Sequence, residues 1–335
     1  MDLQPHFSIT ANGNEIAESL RERIVEVVVT ERTGLLSDTC YIKFDNLGKA
    51  PIQLPKQGDK VEIAVGYKQG SEDGNAPLKP LGFFEIGEFN LNGPLRSLEL
   101  FGNKVLWHKG FKTPKQRSWP ETPEPPQKLK DLIGKIAGEY GLEAKIAPEF
   151  ESTTLAQIEQ SESDMQLLSK LADQFDAVMK ITNDKLVFMP KGTGKSLSGK
   201  DLDKIELDNS ELLNWCLNRS FYKQVGEVSA YYHDLNTAER VEVKSGSGAP
   251  ALVLPYLFAD EASALAATKS KSVSLTRSFN TLKLTVIGHS GISAGQAISV
   301  ANTDTEADGD WYVSAVTHCI DQQGFRSHLV CESLS

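Results

Sequence analysis

Three stretches carry residue types whose spacing could do chemistry. The first, PKGTGKSLSG at residues 190–199, ends a strand-like run with Gly-Lys-Ser, the close of a phosphate-binding loop. Such a loop needs G-x-x-x-x-G-K-[ST], so that backbone N–H groups wrap the phosphates while the lysine reaches the terminal ones. The required first glycine falls on Met189, and the following LSGKDLDKIEL lacks the apolar stripe of a helix aimed at the phosphates. The stretch reads as a basic Gly/Ser connector, and nucleotide hydrolysis drops out. The second, IEQSESD at 158–164, groups Glu159, Glu162 and Asp164. Paired carboxylates can work as acid and base on a glycosidic bond. Here they crowd a helix start, where negative charge suits the dipole and Ser163 can cap, so they read as one solvated face. The third comprises His318, Cys319, His328 and Cys331. Their spacing matches no familiar zinc pattern, and strand neighbours point to opposite faces. GHSGISAG at 288–295 lacks the spacing of a nucleophile elbow and reads as a hairpin loop. No catalytic, cofactor-binding or metal-ligating residue is assigned, and no enzyme activity is expected.

Composition narrows the classes further. Against 35 Lys and Arg stand 45 Asp and Glu, a net charge of −10, the reverse of a protein that grips nucleic-acid phosphates. Aromatic residues make up 8% and do not interleave with basic ones, so no stacking platform for single strands is expected. No run has the length of a transmembrane helix. The start, MDLQPHFSITANG, lacks the basic and apolar parts of a secretory signal, which predicts folding in the cytoplasm. The four cysteines, Cys40, Cys216, Cys319 and Cys331, lie in apolar, strand-like segments and read as small buried hydrophobes.

The 335 residues allow two or three domains, and the texture of the chain changes accordingly. Residues 1–110 alternate in strand fashion, with Cys40, Ile42 and Phe44 on one face and Val61, Ile63 and Val65 on another. Residues 111–126 hold five of the fifteen prolines and read as a stiff linker. A small α+β domain is expected over 127–190. Its first helix presents Leu129, Leu132, Ile133, Ile136, Ala137 and Tyr140, with Gly141 past its end; its second follows a Ser163–Gln166 capping box. A hairpin across Asn183-Asp184 closes it. After the connector at 191–200, strands resume over 201–335, interrupted by one helix near 260–277 with Asp260 as N-cap. Of the tryptophans, Trp107, Trp119, Trp215 and Trp311 are dispersed, and Trp215 and Trp311 read as core.

The two strand-rich regions echo each other. Gly58, Val61 and Ile63 recur in spacing as Gly295, Ile298 and Val300; Gly82, Phe84, Ile86 and Phe89 recur as Gly309, Trp311, Val313 and Val316. Each set leads to an Arg-Ser pair, Arg96-Ser97 and Arg326-Ser327, before a last apolar strand. The shared order predicts a duplicated unit. The fold class is therefore mainly β with an α+β insert: two tube-like antiparallel β-barrels flanking a small helical domain.

Over nearly its whole length this pattern resembles the phage late control protein D family, the central hubs of contractile tails, and the hub regions of type VI secretion spikes and R-type tailocins. GDKVEIAVGY, GFFEIGEFNLNGPLRSLELFG and DGDWYVSAVTHC carry the likeness in the barrels. In the middle domain it rests on Gln160, Glu162, Ser163 and Asp164 ahead of a helix with Leu168, Leu171 and Ala172. Gly82, Phe84, Gly309 and Trp311 stand with these as structural motif residues. The resemblance implies a homotrimer whose six similar barrels join a hexameric tail tube, or tube initiator, to a trimeric spike. It also implies baseplate wedge and tape-measure proteins as neighbours, with DNA only as passing cargo through an acidic lumen. Because the chain ends at HLVCESLS, a separate spike protein is expected. The alternatives are a tail-associated peptidoglycan hydrolase using Glu159 or Glu162, and a cell-surface binding module.

Overall fold

The computed structural model describes the chain except residues 1–3, 17, 35–36, 48–50, 69–77, 95, 105–109, 121–126, 156, 183–184, 194–203, 235–236, 259 and 335. Trp107, the Asn183-Asp184 turn and most of the Gly/Ser connector lie outside the described residues.

The first region holds β1 (Gln4–Ala11), β2 (Asn14–Glu15), a short helix α1 (Glu18–Arg21), β3 (Ile24–Arg32), β4 (Thr39–Asp45), β5 (Lys60–Lys68), β6 (Lys79–Asn92) and β7 (Ser97–Asn103). Alternation decides which face is buried: Cys40, Ile42 and Phe44 of β4 and Val61, Ile63 and Val65 of β5 enter one core with Phe84 and Leu98. The middle region follows with β8 (Arg117–Trp119), α2 (Leu129–Glu139), β9 (Glu143–Ile146), β10 (Ile158–Gln160), α3 (Asp164–Gln174), β11 (Ala177–Thr182) and β12 (Lys185–Pro190). Helix α2 buries Leu129, Leu132, Ile133, Ile136 and Ala137, and Gly141 takes the left-handed conformation (φ 67°) that ends it. The last region contains β13 (Ile205–Asp208), β14 (Leu212–Arg219), β15 (Glu227–Asp234), β16 (Glu239–Gly246), β17 (Ala251–Phe258), α4 (Glu261–Phe279), β18 (Asn280–Ile287), β19 (Ala297–Ala301), β20 (Gly309–Asp321) and β21 (Gly324–Ser333).

The protein is mainly β, and one 13-stranded sheet runs through both outer regions. Its strand order contains the same path twice: β3-β4-β7-β6-β5-β1 in the first region and β14-β18-β21-β20-β19-β13 in the last. The register repeats too. Ile63 faces Gly82 and Val61 faces Phe84, as Val300 faces Gly309 and Ile298 faces Trp311. A bulge between Ile86 and Glu88 recurs between Val313 and Ala315, and one between Ile24 and Glu26 recurs between Leu212 and Asn214. The Arg-Ser echo is one residue out. Gly102 faces Ile86 and Cys331 faces Val313, so Ser97 aligns with Arg326. The copies also differ at one edge, where β1 pairs antiparallel to β5 but β13 runs parallel to β19.

Several expectations are corrected. The two outer regions share one sheet, because β20 pairs with β3 and carries the ladder across. Residues 111–120 are no linker: Phe111 and Trp119 are buried in the middle core, and β8 pairs with β10. Apolar side chains inside the Pro-rich stretch outweigh the stiffness of its prolines. Residues 227–279 do not belong to the second outer sheet. There β15, β16 and β17 form their own three-stranded sheet, which α4 covers through Ala264 and Ala267. GHSGISAG joins two strands that do not pair with each other, so it is a crossing connection. Cys216 is exposed, since β14 turns Trp215 and Leu217 to the core and the residue between them outward.

Candidate functional site

The motif residues at 160–164 meet at the start of α3. Ser163 caps the helix, accepting from the Gln166 N–H, while the Gln166 side chain accepts from the Ser163 N–H. Asp164 is fully buried, which corrects the solvated-face reading. One carboxylate oxygen accepts from Arg117 and from Gln160 Nε2 (2.8 Å), the other from Lys115 (2.8 Å) and Tyr140 OH (2.6 Å). Burial by itself would raise the Asp164 pKa; the Gln160, Lys115 and Tyr140 hydrogen bonds and the Arg117 charge reverse that and hold it below the ordinary carboxylate range. Gln160 also accepts from Trp119 Nε1 at 2.8 Å. This is a closed polar network tying β8, β10, α2 and α3 together. Lys115 and Arg117 escaped the sequence reading, although Lys115, Arg117 and Trp119 alternate as a short strand would, and Tyr140 stood there only as part of the helical stripe.

The remaining acids do not form a hydrolytic pair. Exposed Glu159 accepts from Ser118 (2.6 Å) and Gln157 (2.8 Å), and Glu162 from Lys170 (2.6 Å). These hydrogen bonds lower both pKa values, whereas a general acid needs one raised.

Gly82 and Phe84 turn out to seat a joint between regions. The Lys104 side chain crosses Gly82, where a Cβ would lie 2.8 Å from its Cε, and its ammonium sits 5.2 Å from the Phe84 ring centroid. From there it pairs with buried Asp38 (2.9 Å), which also pairs with Lys180 of β11 (2.9 Å). At the other outer region, buried Arg277 of α4 binds both Asp176 oxygens and Glu332 of β21 (3.0 Å). Two buried ion clusters thus clamp the middle region, one to each half. Gly309 (φ 128°) opens β20, and Trp311, buried, donates to the Ala307 carbonyl at 2.9 Å.

His318, Cys319, His328 and Cys331 do not converge. His318 packs inside, bonded to Ser327 and the Ile292 carbonyl, whereas His328 meets Thr285. Cys319 instead approaches Glu26 and Asp321, whose candidate ligand atoms lie within 4.8 Å of one another. Burial, then Asp321 and Glu26, raise the thiol pKa, which opposes the thiolate a metal needs.

The last geometric element is the seam between halves. Ala315–Ile320 of β20 pair with Arg32–Val27 of β3, and Thr317 meets Thr30 hydroxyl to hydroxyl at 3.1 Å. Tyr67 OH donates to the Gly288 carbonyl at 2.8 Å, and Lys79 reaches Gly291 and Ser293. Such a seam positions whole sheets and carries no reaction.

No family model matches the chain. Over 98% of its length, however, the chain is 23% identical to a probable baseplate hub protein of Escherichia phage 186, covering 93% of that protein. The chain is a phage baseplate hub homologue. A second hub relative, from Escherichia phage P2, is 22% identical over 62% of this chain and 51% of its own length. In fold, the hub homologue is similar to a crystallised tail protein of Neisseria meningitidis, with a TM-score of 0.71 at 14% identity over 98% of this chain and 97% of that one.

Proposed function

We propose that the chain is the trimeric centre of a contractile-tail baseplate, a symmetry adaptor between a hexameric tail tube and a trimeric spike. The observation that carries this reading is the duplicated strand path with its repeated register and bulges. Three chains, each with two like units, present six around one axis, while the unlike middle region and the β15–β17 unit keep threefold symmetry. In the assembly the two strand paths, within 1–110 and 201–335, curl into tube-like walls, and the α+β unit at 127–190 stands outside them. The motif residues Gln160, Glu162, Ser163, Asp164, Gly82, Phe84, Gly309 and Trp311 serve as scaffold. Besides copies of itself, the partners are the spike, the tube or its initiator, the tape-measure protein and wedge proteins. Assembly takes place in the host cytoplasm before release within a tail particle. A lumen carrying part of the net charge of −10 would let DNA pass without adhesion.

Light scattering on the purified chain, alone and with a trimeric spike, tests this. A mass three times that of the 36.7 kDa chain, or a 3:3 complex, is the expected result. A persistent monomer that ignores the spike overturns it.

A further inference from the structure

The two copies of the strand path have been given different fates at one place, and the difference leaves two edges open. In the last region, β20 pairs with β19 through Gly309–Tyr312 and then with β3 through Ala315–Ile320. Its counterpart β6 pairs with β5 only as far as Glu85, so that among the described residues Glu88–Asn92 have β7 alone beside them. On the other side, the counterpart of β3 is β14, which among the described residues has β18 alone beside it. The missing neighbour of each edge is the element that the other copy supplies.

We infer that β6 of one chain pairs antiparallel with β14 of the next, reproducing between chains the β20–β3 seam found within one. This rests on the hub reading above and adds its interface. The register follows from the duplication. Within the chain, Thr317 faces Thr30 and Cys319 faces Val28. Counted from the shared bulges, Thr317 and Cys319 correspond to Asn90 and Asn92. Likewise Thr30 and Val28 correspond to Asn218 and Cys216. Asn90 therefore faces Asn218, and Asn92 faces Cys216. The two amides replace the hydroxyl pair at the seam and supply both donors and acceptors.

Burial argues for the same pairing. Val316 and His318 are buried at the inner seam, but their counterparts Phe89 and Leu91 are 40% and 56% exposed. Val29 is buried on β3, whereas its counterpart Leu217 is only half-buried. Apolar side chains thus stand in water where the equivalent positions are covered. A long unpaired edge bearing them is a template for pairing with another chain. Because β6 and β14 are different surfaces, the contact is heterologous, and it closes into a ring.

The test uses a natural thiol. In the full-length chain, Asn92→Cys places a second thiol opposite exposed Cys216, at the Cα separation of an antiparallel pair, which suits a disulfide. Mild oxidation of the native trimer should give a non-reducing ladder that ends at a covalent trimer. Adding Cys216→Ser should abolish it, and Leu91→Cys, on the other face of β6, should cross-link at least about tenfold less. On the unsubstituted chain, amide exchange at 88–92 and 214–219 should slow at least about tenfold on assembly. A native trimer with no cross-link, with one that survives Cys216→Ser, or with unchanged exchange overturns the pairing and leaves the hub reading intact. A chain that stays monomeric with spike present overturns both.

Discussion

At the scale of single residues, the strongest constraints are buried charges with complete partner sets. Asp164 holds four hydrogen bonds in the middle region, and removing its charge leaves Arg117 and Lys115 to share the half-exposed Glu139 (2.6 and 2.7 Å). Asp164→Asn should lower unfolding free energy by about 2–4 kcal/mol in urea titrations. Glu162→Gln, beside an exposed Lys170, should stay within about 1 kcal/mol. His318 adds a pH dependence of known sign. Burial lowers its pKa from the ordinary value to about 4, and its neutral ring satisfies both Ser327 and the Ile292 carbonyl. The unfolded chain takes up that proton near pH 6.5, the native chain only near 4. Stability from this residue is therefore complete above pH 6.5 and falls as pH drops through that window, by up to about 3 kcal/mol. Denaturant titrations at pH 7 and pH 4.5 should show the loss, and His318→Gln should flatten it.

Elements are set by caps, bulges and covered faces. Helix α3 starts at a reciprocal capping box, so Ser163→Ala should cost about 1 kcal/mol. Gly82 and Gly309 hold left-handed backbone at equivalent places in the two strand paths (φ 110° and 128°), but their surroundings differ. An added Cβ at Gly309 meets open space, while at Gly82 it meets Lys104. Alanine at either should cost about 1–3 kcal/mol from backbone strain. Only Gly82→Ala should also loosen the Lys104–Asp38–Lys180 cluster, read as faster proteolysis between the first and middle regions.

For the whole molecule, three regions act as one through a few buried joints. Arg277 is the clearest, since it is the only buried arginine among the described residues and joins α4, the Asp176 turn and β21. Arg277→Met takes away the guanidinium that binds both Asp176 oxygens and leaves Glu332 to Lys191 at 3.6 Å. A loss of about 3 kcal/mol is expected, with the single calorimetric transition splitting as the middle region unlocks. A transition that shifts without splitting would show that the middle region stays coupled through its other joint.

The division between sequence and tertiary structure follows the range of the forces concerned. Alternation in β4 and β5, the helical stripe of α2, the Ser163 cap and the Asp260 cap act over a few residues, and they were legible in the sequence. The duplication was legible as well, because Gly58 and Gly295, and likewise Gly82 and Gly309, stand at matching distances from the apolar strand residues that follow them. Asp164 looked solvated because its cations lie 47 and 49 residues away in a Pro-rich stretch. Trp119 and Phe111 looked like linker residues for the same reason. The β3–β20 seam and the Arg277 clamp join residues hundreds of positions and about a hundred positions apart. No local pattern encodes such pairings, since strand partners and buried ion pairs are chosen by which surfaces the folded chain brings together. Sequence alone determined the elements and their repetition; only the tertiary structure decided that the two copies share one sheet and which edges they leave open.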